Sequence, residues 1–287
     1  MKRKVINIVV CICMCWLSIE AQEDNGLKPD TSGYAPVNGL NLYYEIYGEG
    51  KPIVLIHGAY QTISLCWSGV IPSLSKTRKV IAVELQGHGH TANITRQYSY
   101  KSMADDVARL LMYLKITKAD IMGYSIGGVT AMQLAIDRPE LVDNLIVLSA
   151  PYKYSGWLPQ MRQMLKSLQP DFLDKTPYMN AHAMIYRGAV KWYDFTSRFI
   201  KFDTEDYDLG ESNIKNIKSR SLFIMGDNDG VDLEHKTKMY QLCGGNVFGD
   251  IEGLPKSQLA ILPNTTHVGL IMSGEKFLPM VLTFIGN

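Results

Sequence analysis

The stretch Ala119-Asp120-Ile121-Met122-Gly123-Tyr124-Ser125-Ile126-Gly127-Gly128 constrains this chain most. A short apolar run, a Gly-x-Ser-x-Gly turn and a helical pattern over Ile126–Asp137 follow one another without a break. A turn this tight between strand and helix strains its apex and crowds the positions two either side, so those positions must be small. Ser125 is the apex. Its hydroxyl is held in the open, at a helix N-terminus whose unpaired N–H groups and dipole can stabilise a developing oxyanion. The segment therefore predicts a serine placed to attack a carbonyl. The pentapeptide alone arises by chance in loops; its strand-turn-helix context carries the reading.

A serine hydroxyl is a weak nucleophile at neutral pH. It needs an imidazole to take its proton, and the imidazole needs a carboxylate to fix its tautomer and stabilise its cation. Both occur later in the chain, each just past a buried-strand run. Ser221–Met225 leads into Gly226-Asp227-Asn228-Asp229, and Gln258–Leu262 leads into Pro263-Asn264-Thr265-Thr266-His267. Upstream, the apolar run Pro52–Ile56 is followed by His57-Gly58-Ala59, where a second backbone N–H can reach an oxyanion. The expected hole is the Ala59 and Ile126 N–H pair.

On these residues the chain resembles the α/β-hydrolase superfamily, in its compact form that includes carboxylesterases, lactonases and cofactor-free haloperoxidases. The resemblance covers roughly residues 34–287. It is carried by His57-Gly58, by Gln86-Gly87-His88-Gly89-His90-Thr91 after the strand Lys79–Val83, by the serine elbow, by Gly226–Asp229 and by Thr266-His267. It implies a mainly parallel, doubly wound, eight-stranded sheet with an inserted helical cap. It also implies a Ser125-Asp229-His267 triad working through an acyl-enzyme on an ester or lactone, with no cofactor and no metal. The family places its acid three residues after the glycine, which selects Asp229 over Asp227. Relatives of this fold that attack with an aspartate, such as haloalkane dehalogenases and epoxide hydrolases, differ at the elbow. One departure is Glu84, which stands where relatives often begin an Asp-x-x-Gly-x-Gly loop.

The N-terminus has the layout of a signal peptide: Lys2-Arg3-Lys4, the apolar stretch Val5–Leu17 broken by Asn7, then Ala21 before a polar run. A spanning helix needs about 20 apolar residues, so the mature chain is expected to have no stable membrane span. Cys11, Cys13 and Cys15 follow Val10, Ile12 and Met14, not the small residue of a lipoprotein signal, so lipid anchoring is the lesser expectation. Cleavage after Ala21 leaves only Cys66 and Cys243, too few for a disulfide framework. They are expected to be buried free thiols on opposite faces of the sheet. A glycan at the Asn264 sequon would obstruct His267, so the chain is read as exported by a bacterium, to the periplasm or secreted.

The organisation is a leader (1–21), a loose polar lead-in (22–33), a first core part (34–150), a helical insertion (151–217) and a second core part (218–287). Asn38-Gly39 marks a hairpin ahead of Leu40–Tyr47. Strand and helix patterns then alternate, with helices near Ile63–Leu74 and over Ser102–Leu114, as a doubly wound parallel sheet requires. About seventy residues between Leu148 and Leu222 exceed any ordinary crossover. Leu158, Met161, Leu165 and Leu168, and again Trp192, Phe195 and Phe199, fall at helical spacing. Most of these positions should simply pack, as an amphipathic helix must. The rest should line a pocket, with Met161, Met164, Met179, Met184, Trp157, Trp192 and Tyr60 as candidates, suiting a hydrophobic small molecule.

Other features carry less. His88 and His90 lack a third ligand, so structural use is expected rather than metal binding. His182 and His235 read as helix-borne core or surface residues, and Asp203, Glu205, Asp206 and Asp208 as a solvated face. Gly244-Gly245 lacks the preceding strand of a nucleotide loop. A net charge of +1 gives no electrostatic reason to expect nucleic acid as a partner. Three alternatives stay open: perhydrolysis, for which Trp67 near the hole would suit; a prolyl aminopeptidase, whose relatives carry Gly-Gly-Ser-Trp-Gly where this chain has Gly-Tyr-Ser-Ile-Gly; and a ligand-binding protein with a vestigial triad.

Overall fold

The computed structural model describes residues 28–286 apart from 175, 187 and 188. The expected leader, with Cys11, Cys13 and Cys15, and residues 22–27 lie outside the described residues. Among the described residues no helix is long and apolar enough to cross a membrane.

Strand β1 (Thr31–Val37) turns through Asn38-Gly39 into β2 (Leu40–Tyr47). Both turn residues have positive φ, 48° and 75°, the twist a two-residue hairpin needs. β1 starts three residues before the expected Tyr34, because hairpin register carries pairing back to Thr31 opposite Ile46. β3 (Lys51–Ile56) and β4 (Arg78–Val83) are joined by α1 (Ile63–Trp67) and α2 (Ile71–Leu74). The single helix expected over Ile63–Leu74 is two, since Gly69 lies between them and Pro72 opens the second. Next come α3 (Tyr100–Tyr113), β5 (Ala119–Tyr124), α4 (Ile126–Asp137) and β6 (Val142–Leu148).

Among the described residues five α-helices fill the insertion: α5 (Pro159–Ser167), α6 (Pro170–Leu173), α7 (Pro177–Tyr186), α8 (Ala189–Asp203) and α9 (Glu211–Lys215). Its two ends are stitched together where the Tyr154 N–H donates to the Tyr207 carbonyl (2.8 Å) and the Leu209 N–H to the Tyr152 carbonyl (3.0 Å). The chain closes with β7 (Arg220–Asn228), α10 (Leu233–Leu242), α11 (Gly249–Glu252), β8 (Ser257–Thr266), α12 (His267–Met272) and α13 (Gly274–Ile285).

The sheet has eight strands in the order β1-β2-β4-β3-β5-β6-β7-β8, antiparallel at β1-β2-β4 and parallel from β4 onward. Alternate residues of β3 feed two cores: Val54 and Ile56 join α3 and α4, while Ile53 and Leu55 join α1, α2 and α13. Cys66 lies in the second core and Cys243 packs on the first, so the two free thiols are on opposite faces. Cys66 is buried as expected and Cys243 half-buried. Parallel strands align their carboxyl ends, and the loops after β3, β5, β7 and β8 gather there.

Candidate active site

Ser125 follows β5 directly and sits at φ 54°, ψ −121°, a left-handed conformation that the surrounding packing must hold. The elbow glycines explain how. A Cβ on Gly123 would run into the Gly127 carbonyl, and one on Gly127 into the Ile56 carbonyl, so strand and helix approach too closely for any side chain. The Ser125 N–H is tied to the Leu148 carbonyl on β6 (2.9 Å), while its own carbonyl accepts from Gly128 and Val129 in the first turn of α4.

His267 comes from the end of β8 and Asp229 from just past β7. His267 Nε2 lies 3.2 Å from Ser125 Oγ, and Nδ1 lies 2.9 Å from Asp229 Oδ1. A carboxylate only accepts, so Nδ1–H donates to Asp229, leaving the Nε2 lone pair toward the serine hydroxyl. The Trp157 ring packs nearly perpendicular to the imidazole, centroids 5.4 Å apart, and Tyr124 donates its hydroxyl to the His267 carbonyl. Burial resists ionisation of Asp229. Yet the His267 ring, the Ser149 hydroxyl and the Lys236 ammonium together hold its carboxyl below the usual range.

The two aspartates of the acid loop are divided by backbone position. Asp227 accepts from the Asn264 and Thr265 N–H groups at 3.0 Å each and so ties β7 to the histidine loop. Asp229, two residues on, meets the ring. This loop also anchors the insertion, because the Leu158 N–H donates to the Gly230 carbonyl and the Asp232 N–H to the Gly156 carbonyl.

Around Ala59, the neighbouring N–H groups are engaged. Gly58 donates to Gln61 Oε1 (3.2 Å), and Tyr60, at φ 61°, donates to His88 Nε2 (3.1 Å). Among the described residues no hydrogen bond engages the N–H of Ala59 or of Ile126. His57 and His88 are fully used as scaffolding. His57 donates from Nδ1 to the Gly58 carbonyl and accepts at Nε2 from the Leu85 N–H, and His88 donates from Nδ1 to the Gln86 carbonyl. Burial pushes both imidazoles down, holding them neutral. Among the described residues no group of three His, Cys, Asp or Glu could hold a metal ion. Glu84 is buried beneath this loop and accepts from the Ile63 N–H and from the backbone and ring of His90. It also fills the space a Cβ on Gly89 would need, which is what holds the Gln86–Thr91 loop here.

Above Ser125 and His267 opens a cavity of about 420 Å³ under the insertion. Of the pocket candidates, Tyr60, Trp157, Met161 and Met164 line it, with Leu165, Leu168 and Phe172. Trp192 does not. It is buried, donates its indole N–H to Asp174 (3.2 Å) and packs on His182 and Phe195, because the α8 stripe is spent docking the helix onto Tyr60 and His88. Met179 is half-buried outside the lining, and the Met184 side chain lies outside the described residues. Trp67 belongs to the core beneath the sheet rather than to the site.

Asp203 corrects a second expectation. Glu205, Asp206 and Asp208 are exposed, but Asp203, the last residue of α8, is half-buried and lines the cavity. Its carboxylate is 3.4 Å from the Tyr60 hydroxyl, and burial pushes its pKa up to about 6. Gln61 and Tyr178 also reach the lining. Nothing in their sequence surroundings marks them, since only folding the insertion over the sheet brings them there.

A family description reading alpha/beta hydrolase fold matches residues 51–185. The chain has the α/β-hydrolase fold. An uncharacterized protein of Mycobacterium tuberculosis is 39% identical over 124 residues, 43% of this chain and 36% of that protein. The chain thus aligns with only about a third of that relative's length. The 2-hydroxy-6-oxo-2,4-heptadienoate hydrolase of Pseudomonas putida is 26% identical over 273 residues, 86% of this chain and 93% of the relative. An enol-lactonase structure from Burkholderia xenovorans superimposes with a TM-score of 0.66 at 23% identity, covering 88% of this chain and 99% of that one.

Proposed function

We propose that this α/β-hydrolase is a serine hydrolase of carboxylic esters or lactones. The observation that carries the reading is the hydrogen-bonded line Asp229, His267, Ser125 at the floor of an apolar cavity. Ser125 Oγ bonds to the substrate carbonyl carbon as its proton passes to His267 Nε2. Charge develops on the carbonyl oxygen beside the uncommitted N–H groups of Ala59 and Ile126, which stabilise it. Collapse expels the alcohol, which takes the proton from Nε2 and leaves an acyl-Ser125 ester. Water, deprotonated by the same nitrogen, then releases the acid. Asp229 keeps the ring oriented and offsets its positive charge in both halves. The chemistry needs no cofactor.

A fluorophosphonate probe followed by mass spectrometry should place its adduct on Ser125, and Ser125→Ala should lower kcat on a nitrophenyl ester by at least about 10³-fold. An adduct on another residue would overturn the assignment. We also propose export through the N-terminal leader; the mature protein should then begin at Gln22 on N-terminal sequencing.

A further inference from the structure

The cavity holds one acid that the proposed triad does not use. Asp203 arrives from the insertion at the C-terminal end of α8, while every triad residue comes from the sheet. Among the described residues no Lys or Arg lines the cavity, and the Asp203 carboxylate accepts a single hydrogen bond, the long one from Tyr60. Tyr60 is itself fixed. Its ring packs edge-on against Phe195 and Phe199, and its backbone N–H is held by His88. The carboxylate therefore stands in an apolar chamber with most of its acceptor capacity unspent. Such a group is costly to desolvate unless a donor or cation meets it.

We propose that Asp203 is the cavity's recognition point for a protonated amine on an otherwise hydrophobic substrate. Resting on the reading of this cavity as the substrate site, it narrows that site's ligand class. An ammonium group supplies both the counter-charge and the donors the carboxylate lacks, and a charge-assisted hydrogen bond is stronger than a neutral one. The same carboxylate repels acyl chains ending in an acid. The Tyr60 hydroxyl, donating to one oxygen, orients the carboxylate and leaves the other to the ligand.

Binding tests this without turnover. n-Hexylammonium, n-hexanol and n-hexanoate are titrated into the full chain by calorimetry at pH 7.5, alone and with Asp203→Asn and Asp203→Ser variants. Unchanged circular dichroism would show that the variants are folded. Hexylammonium should bind at least about tenfold more tightly than hexanoate, and the gap should shrink to about twofold in either variant. Equal affinities in the wild type overturn the proposal, as does a gap that neither substitution narrows. Hydrolysis of an uncharged hexanoyl ester, measured beside it, reports separately on Ser125. A failed ester assay with an intact ammonium preference removes the hydrolase reading and keeps this one, and the converse pattern removes only this one.

Discussion

Replacing Asp229 by Asn should cost catalysis between about 10³- and about 10⁴-fold, whichever way the new amide lies. If its NH₂ faces the ring, Nδ1 must accept, the proton moves to Nε2, and the serine, 3.2 Å away, loses its base; that tautomer error costs about 10⁴-fold. If its oxygen faces the ring, it keeps the hydrogen bonds from Nδ1 and from the Val231 N–H, and the tautomer survives. The imidazolium formed in the transition state then has no counter-charge. Two unit charges about 4 Å apart at an effective dielectric near 20 interact by about 4 kcal/mol, or about 10³-fold in rate. Asp227→Asn is the matched control. Asp227 braces the turn through two backbone N–H groups, one of which an Asn oxygen can keep, so activity should stay within a few-fold while Tm falls. The assay is kcat/KM on 4-nitrophenyl butyrate at pH 8, with circular dichroism as the check on folding. An Asp229→Asn protein retaining more than about a tenth of wild-type kcat/KM would refute the reasoning, and so would an exchange of phenotypes between the two variants.

Three further outcomes follow from other parts of the molecule. Each methylene buried in the cavity contributes about 0.8 kcal/mol, so kcat/KM should climb up to about fourfold per added carbon until the space under the insertion is full. Met164→Ala should move that optimum to longer acyl chains and Met164→Trp to shorter ones; a profile indifferent to both would mean the acyl chain lies elsewhere. Gly127→Ala should yield no folded protein in soluble expression, since its Cβ has nowhere to go but into the Ile56 carbonyl; a folded, active variant would show that the elbow relaxes. His235 is held neutral, accepting from the Tyr152 N–H, and burial pushes its pKa down to about 4. The unfolded chain therefore binds a proton below about pH 6.5 that the folded chain refuses, so stability falls with acidification across roughly pH 6.5 to 4, by up to about 1.4 kcal/mol per pH unit. Urea midpoints at pH 7.5, 6 and 5 should fall less steeply in His235→Gln, and equal slopes would contradict the linkage.

Much of this was legible in the chain because it is local. The span of α4, the Asn38-Gly39 hairpin and the serine elbow are each set by a few consecutive residues whose backbone options are narrow, such as two glycines that tolerate no Cβ. The order of strand-end residues was readable too, because a parallel sheet brings every strand's carboxyl end to one side. The insertion was not. Its helical periodicity identifies stripes but cannot say what each stripe meets, and the two stripes diverged. Met161 and Leu165 open onto the cavity, whereas Trp192, Phe195 and Phe199 are consumed in docking α8 over Tyr60 and His88. Asp203 shows the limit best. In sequence it stands in an acidic run indistinguishable from a wetted surface, and its three acidic neighbours are indeed exposed. Only the angle at which α8 ends against the loop after β3 turns this one carboxylate inward, because helix docking is decided by side chains far apart in the chain.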